Sequence, residues 1–354
     1  LAMPTLRLGG SMRRAFLAPF GKASVPSDDG ANVRVLRRLV GLLASVAMAA
    51  STLLVVAPPA SAYVGPVSNS WYVTAADLAS SGGGIYSSGY NAPSGPQVVF
   101  LQAGQVCITG TGGSGFLTYG GGCQPTYNVA HAVQWWLYGF QQNPAHRGSG
   151  YVVLCVTTSN GTSSNTTANY RVAAEGLYED LANYTVVYAN YLSAGNYNAR
   201  YVVAGGIDAE TSWDKPNEVS GWLVGWLTKR ASLSTQLNFG TDGAYYGTCN
   251  TASCWDSPID HGWAPSQMYA VYYGWPGSNS YPQIYDRNWP AYYQDLNQAA
   301  ASAGKAQIPY TGVMWGCGTG GDEPNAGQAY SDFTSGVHQS PAYLTLMHSL
   351  TGSC

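Results

Sequence analysis

The chain has 354 residues, only 9% of them charged and 13% aromatic, with 15 Lys and Arg against 18 Asp and Glu for a net charge of −3. This acidic balance disfavours nucleic acid and anionic lipid as partners. The length suits one large or two small domains and is enough to bury a sizeable core.

The N-terminal region reads as an export address. Arg34, Arg37 and Arg38 precede an apolar or small-residue run over 39–57, and Ala60-Ser61-Ala62 follows as an A-x-A cleavage motif. The run approaches the ~20 residues that span a bilayer, so an uncleaved anchor is the alternative; the Pro58-Pro59 break and the A-x-A motif favour cleavage after residue 62. Residues 1–32 show no periodic pattern and are set aside from fold reasoning. Cleavage would leave 292 residues with eight basic and 16 acidic side chains, a net charge of −8. The mature chain is then expected to be secreted, extracellular, free of the membrane and monomeric.

Residues 63–96 are rich in Ser and Gly, with Val64, Val67, Val73, Leu78 and Ile85 as the few long aliphatics, and read as a loosely structured lead-in. From residue 97 to 354 strand-length apolar runs alternate with helical patterns. A strand over 97–102 precedes a helix over 131–141, and a strand over 151–157 precedes a long helical segment over 167–192. A strand from 201 precedes a helix starting near Pro216, where Val219, Trp222, Leu223, Trp226 and Leu227 fall on one helical face. Pro216 near its start and Lys229-Arg230 in its last turn suit the helix dipole. Further strands are expected over 235–239, 268–273 and 308–315, with a helix over 290–303 before the last. Strands alternating with helices imply a parallel sheet packed between helices. The fold class is thus α/β: a TIM-like (β/α) barrel, possibly irregular, with one or two strands not located, or else an open doubly wound sheet, with length favouring the barrel.

All seven cysteines follow residue 62, where disulfides can persist. Cys107 with Cys123, Cys249 with Cys254, and Cys317 with Cys354 are the expected pairs, although six cysteines allow 15 connectivities. Cys155, in an apolar strand, is the expected free thiol. The chain has no C-x-x-C, and its five histidines are scattered, so no metal site is expected. No cofactor is expected either: the glycines over 110–115 are followed by more glycine where a dinucleotide fingerprint needs a helix.

Asp208 and Glu210 stand two apart at the end of the apolar run 201–207, in a chain where charge is scarce. If the strand continues to Glu210, alternation puts Val202, Ala204, Gly206, Asp208 and Glu210 on one face, pointing into a barrel, with both acids at its carboxyl end. Two acids so close raise one another's pKa, and glycoside cleavage needs one protonated carboxyl group beside a negative partner. A salt bridge or cap with Lys215 or Arg200 is the structural alternative. Asn238 and Asp242 follow as polar candidates for the same mouth, where a turn-forming role beside Gly240 and Gly243 is about equally expected. Tyr272, Trp275 and Trp315 are aromatic candidates for stacking on sugar rings, against a background of core packing. Asp322-Glu323 reads as a solvated turn, and Asn160, Asn165 and Asn183 match the glycosylation pattern.

The stretches Ile207-Asp-Ala-Glu210, Gly221-Trp222, Asn238-Phe-Gly-Thr-Asp242, Tyr272-Tyr-Gly-Trp275, Pro282-Gln-Ile-Tyr285 and Gly312-Val-Met-Trp315 together resemble the glycoside-hydrolase-like barrel domains of secreted actinobacterial proteins. More distantly, the D-x-E resembles that of lysozyme-type muramidases. The resemblance covers about a third of the chain. It implies Glu210 as general acid and Asp208 as its electrostatic partner, acting on a polysaccharide or peptidoglycan glycan. Muramidases carry an Asp on the first strand where this chain offers Gln102, which could instead hydrogen-bond a sugar. Two functions are therefore expected: a secreted glycoside hydrolase, or a secreted barrel that binds glycan without cleaving it.

Overall fold

The computed structural model describes residues 67–348 except 79–82, 111, 148–150, 159–165, 196–199 and 318–324, all within the unit Pro58–Cys354. The export signal, the Cys317 to Cys354 pairing, Asp322-Glu323 and the sites at Asn160 and Asn165 lie outside the described residues.

Eight strands form one parallel sheet. In chain order they are β1 (Ser68–Tyr72), β2 (Gln97–Gln102), β6 (Tyr151–Thr157), β7 (Arg200–Asp208), β8 (Asn238–Gly243), β9 (Ser278–Pro282), β10 (Gly312–Cys317) and β11 (Tyr343–His348). The sheet order is β10-β11-β1-β2-β6-β7-β8-β9. A parallel bridge between Gln283 and Met314 brings its two edges together, and the Ile284 amide donates to the Met314 carbonyl at 2.8 Å. The fold is a (β/α) barrel.

Helices α1 (Gly83–Tyr90), α2 (Thr126–Gln142), α3 (Thr167–Asp180), α4 (Val186–Ala194), α5 (Pro216–Ser232), α6 (Pro265–Tyr273), α7 (Trp289–Ser302) and α8 (Ala326–Val337) surround it, α3 and α4 being joined by a π-helical turn over Leu181–Thr185. A small antiparallel sheet, β3 (Gln105–Ile108), β4 (Ser114–Leu117) and β5 (Cys123–Pro125), is inserted between β2 and α2.

Burial explains which elements form where. β2 is buried at all six positions, as a strand covered on both faces must be, so an unbroken apolar run suits it. The barrel interior is filled by Val98, Phe100, Cys155, Ala204, Tyr281, Met314 and Met347. On α5, Val219, Trp222, Leu223 and Trp226 are buried, and the Glu218 carboxylate accepts from the Lys215 amide at 3.3 Å to close the first turn. The two central glycines of β7 divide its faces. A Cβ at Gly205 would lie 1.9 Å from the Trp226 ring, outside the barrel; one at Gly206 would lie 1.8 Å from the Gly240 carbonyl oxygen and 2.8 Å from Thr157 Cγ2, inside it.

Several expected elements differ. Residues 268–273 form not a strand but helix α6: Pro265 sits in its first turn, the Gln267 side chain accepts from the Ala264 amide at 2.9 Å, and Met268, Val271 and Tyr272 are buried at helical spacing. The strand that follows is the polar Ser278–Pro282. The lead-in contains β1 and α1, whose Ser70 hydroxyl lies 2.6 Å from that of Thr345 and accepts from the Phe100 amide at 2.9 Å. The expected strand over 235–239 forms over Asn238–Gly243, and that over 308–315 over Gly312–Cys317.

Two expected disulfides are present. Cys107–Cys123 ties β3 to β5 and Cys249–Cys254 closes a short loop. Cys155 is free and buried in the barrel, where burial raises its thiol pKa. Among the described residues no helix is long and apolar enough to cross a membrane.

Candidate active site

The sequence Gly206-Ile-Asp208 on β7 is matched by Gly240-Thr-Asp242 on β8, and the two strands pair with Gly206 beside Gly240 and Asp208 beside Asp242. Both glycines face inward: a Cβ at Gly240 would lie 2.9 Å from Cys155 Sγ. Missing side chains in this layer let the strands close up and leave the two aspartates above them, at the carboxyl ends where barrel enzymes place their chemistry.

Gln102, the last residue of β2, reaches across to both. Its Nε2 donates to Asp208 Oδ2 at 3.1 Å and to Asp242 Oδ2 at 2.8 Å. Gln283, just past β9, donates its Nε2 to Asp208 Oδ1 at 2.8 Å. All four side chains are buried, Asp208 at 3% exposure and Asp242 at 0%. Gln102 Oε1, Gln283 Oε1, Asp242 Oδ1 and the Thr157 hydroxyl are buried and form no hydrogen bond. Thr157 nevertheless lies near enough to Asp242 to favour its ionised form, against the effect of burial, without adopting hydrogen-bond geometry.

Glu210 lies two residues past the end of β7 rather than on it. Its amide donates to Asp214 Oδ2 at 3.1 Å, and the amides of Trp213 and Asp214 donate back to its carbonyl at 3.0 and 2.8 Å. Asp214 is itself buried, and its carbonyl accepts from Trp263 Nε1 at 2.8 Å. The Thr211 hydroxyl bonds Asp260, which also accepts from the Tyr246 amide at 2.9 Å. This turn fixes Glu210 at the mouth, half-buried, within electrostatic reach of both aspartates.

Burial, with the negative charges of Asp242, Glu210 and Asp214 behind it, holds the Asp208 carboxyl well above the usual carboxylate range; the Gln102 hydrogen bond acts in the opposite direction. Asp242 is raised in the same way, chiefly by burial and then by Glu210, against the hydrogen bond from Gln102. The phenols of Tyr72, Tyr246 and Tyr285, all half-buried, face these acids and are raised by burial first and by the carboxylates after it.

These shifts carry a stability cost with a definite sign. The coupled pair of aspartates keeps protons when folded at a pH where the unfolded chain has lost them, so the stability they confer is full below about pH 4 and is lost as pH rises through the folded-state values of the pair. Denaturant unfolding should show stability falling from mildly acidic to alkaline pH, by up to about 1.4 kcal/mol per pH unit for each such proton. Asp208→Asn should flatten that slope, and an unchanged slope would show that Asp208 does not contribute to it.

Of the residues singled out in the sequence, Gln102, Asp208 and Asp242 meet, and Glu210 lies within electrostatic reach of the two aspartates. The other four do not join them. Asn238 is exposed at the amino end of β8, the opposite end of the strand from Asp242. Tyr272 is buried on α6 and donates its hydroxyl to the Gly243 carbonyl at 3.0 Å, alongside Tyr293 at 2.9 Å. Trp275 lies in the turn before the amino end of β9. Trp315 alternates with the inward Met314 and so falls on the outer face.

Gln283, Tyr72, Tyr246 and Tyr285 were missed. Two of them sit in the Pro282-Gln-Ile-Tyr285 stretch, but their role depends on a strand, β9, that its polar sequence conceals. The cations proposed as structural partners lie elsewhere: Lys215 Nζ is 3.8 Å from Glu218, and Arg200 sits over the Tyr151 ring at the amino end of β7.

The fold and site define a (β/α) barrel with a buried, amide-bridged carboxylate pair at the carboxyl end of its strands. In comparisons with known proteins, no family model and no curated protein matches this chain. Among the described residues no group of three or more His, Cys, Asp or Glu is arranged to hold a metal.

Proposed function

We propose that this chain is an exported glycoside hydrolase acting on a cell-wall or environmental polysaccharide. The observation that carries the reading is the juxtaposition of Asp208 and Asp242, bridged by Gln102 at the carboxyl end of the barrel, with Glu210 within electrostatic reach of both. Glu210 is accessible enough to reach a glycosidic oxygen and donates its proton to the leaving group. Positive charge then develops at the sugar carbon, and Asp208 is the carboxylate that steadies it. Tyr72, Tyr246 and Tyr285 offer ring faces for the apolar side of a sugar. The two disulfides favour an oxidising compartment and support export.

A second reading, a barrel that binds glycan without cleaving it, is favoured by one observation: Gln102 stands where the resemblance calls for a carboxylate, and both its N–H groups are committed to the aspartates.

Purified protein incubated with peptidoglycan, chitin and a panel of plant glycans separates the two. Release of new reducing ends is expected. Binding without release would favour the second reading, and neither binding nor release would refute both.

A further inference from the structure

The proposed chemistry asks for an ionised Asp208, yet Asp208 and Asp242 stand on paired strand positions, both buried, and neither forms an ion pair with any described Lys, Arg or His. Two uncompensated negative charges in that layer would be costly, so one proton must remain between them.

The hydrogen bonds differ between the two sites. Asp208 accepts an amide N–H on each oxygen, from Gln102 and from Gln283. Donors on both oxygens favour the charged form. Asp242 accepts from Gln102 on Oδ2 alone, while its Oδ1 is buried without a partner and the equally unpartnered Thr157 hydroxyl lies close by. That oxygen is the place for a hydrogen: the Thr157 hydroxyl, which can donate to an ionised Asp242, can equally accept from a protonated one.

We propose that Asp208 and Asp242 act as one unit carrying a single proton at neutral pH, seated on Asp242 Oδ1, so that Asp208 stands ionised at the barrel mouth. Asp242 is then a positioning residue that supplies, from β8, the second carboxylate for which the muramidase-like first strand has only Gln102. The shared proton stands on the hydrogen-bond geometry, and its consequence for catalysis rests on the hydrolase reading.

The groups facing the pair all act in the same direction. From the segment after β7 come Glu210 and Asp214, from β1 Tyr72, from the segments after β8 and β9 Tyr246 and Tyr285, from α6 Tyr272 and from β6 Cys155. All are acids, and none of them brings a positive charge.

The test is a pH titration of the purified protein labelled with carbon-13 at the aspartate carboxyls, followed by NMR, in wild type, Asp242→Asn and Asp208→Asn. Wild type should show one of the two buried carboxyls protonated and the other ionised across neutral pH. Asp242→Asn should remove the protonated signal and move the Asp208 titration to lower pH, because a like charge has gone. Two ionised carboxyls at neutral pH would overturn the proposal, as would a protonated signal that survives Asp242→Asn.

If Asp242→Asn does not fold, Thr157→Val decides. Loss of an acceptor for the Asp242 hydroxyl should move the protonated carboxyl's titration to lower pH; a move to higher pH would mean that Thr157 donates to an ionised Asp242, contrary to the proposal. No substrate enters these measurements. A shared proton in a protein that cleaves no glycan would therefore refute the function and leave the proton, and cleavage by a protein with two ionised aspartates would do the reverse.

Discussion

Replacing Gly206 with alanine will destabilise the protein by about 3 kcal/mol or more, the upper end of what overpacking costs. The added Cβ would fall 1.8 Å from the Gly240 carbonyl oxygen, a backbone atom of the neighbouring strand. That atom cannot swing aside as a side chain can, so relief requires β7 and β8 to part. At Gly205→Ala the nearest atoms belong to the Trp226 ring, a side chain packed on Tyr178 and Phe239 rather than a strand backbone, and the change should cost less, about 1–2 kcal/mol. Denaturant unfolding of both variants checks the order. Equal losses would mean that the inner layer is not as tightly closed as the Gly206–Gly240 contact implies. Any Gly206→Ala protein that does fold should also have its carboxylates displaced, since they sit in the next layer of the same two strands.

Glu210→Gln should lower glycan turnover by ~10²–10⁴-fold, the range for removal of one acid–base group. The substitution keeps the shape of the side chain but removes its proton, so the pH profile should also lose its basic limb. Asp208→Asn should reduce turnover by a similar factor through loss of the charge that faces the reacting carbon. Binding should survive in both, because Tyr72, Tyr246 and Tyr285 are untouched. Reducing-end assays across pH, run beside a pull-down on the same glycan, provide the check. Variants as active as wild type would make these acids structural.

What could be read from the sequence follows from how each strand is buried. β2 and β6 were legible to the residue because strands covered on both faces are unbroken apolar runs. β1 and β9, Ser-Asn-Ser-Trp-Tyr and Ser-Asn-Ser-Tyr-Pro, were not. Their serines satisfy themselves by hydrogen bonds, Ser70 inside the barrel with Thr345 and Ser280 on the outer face with the Tyr272 carbonyl of α6 at 2.8 Å, and such strands carry no apolar period. Tyr272 and its neighbours looked like a strand because aromatics favour strands, yet the spacing of Met268, Val271 and Tyr272 was helical.

At the site, Asp208 and Glu210 stood out by scarcity of charge. The matching Gly-x-Asp on β7 and β8 was present in the sequence, but only the register of the two strands gives it meaning. Asn238 and Asp242 illustrate the same limit: four residues apart on one strand, they are separated by about 13 Å, which sends them to opposite ends of the barrel.

The most direct test of the account is the structure of Glu210→Gln bound to a cleavable oligosaccharide from whichever glycan the wild-type protein hydrolyses or retains. The account predicts a sugar ring over Asp208, flanked by Tyr72, Tyr246 or Tyr285, with a glycosidic oxygen within about 3 Å of the side chain at position 210. An oligosaccharide seated on another face, or no sugar at the mouth at saturating concentration, would contradict it.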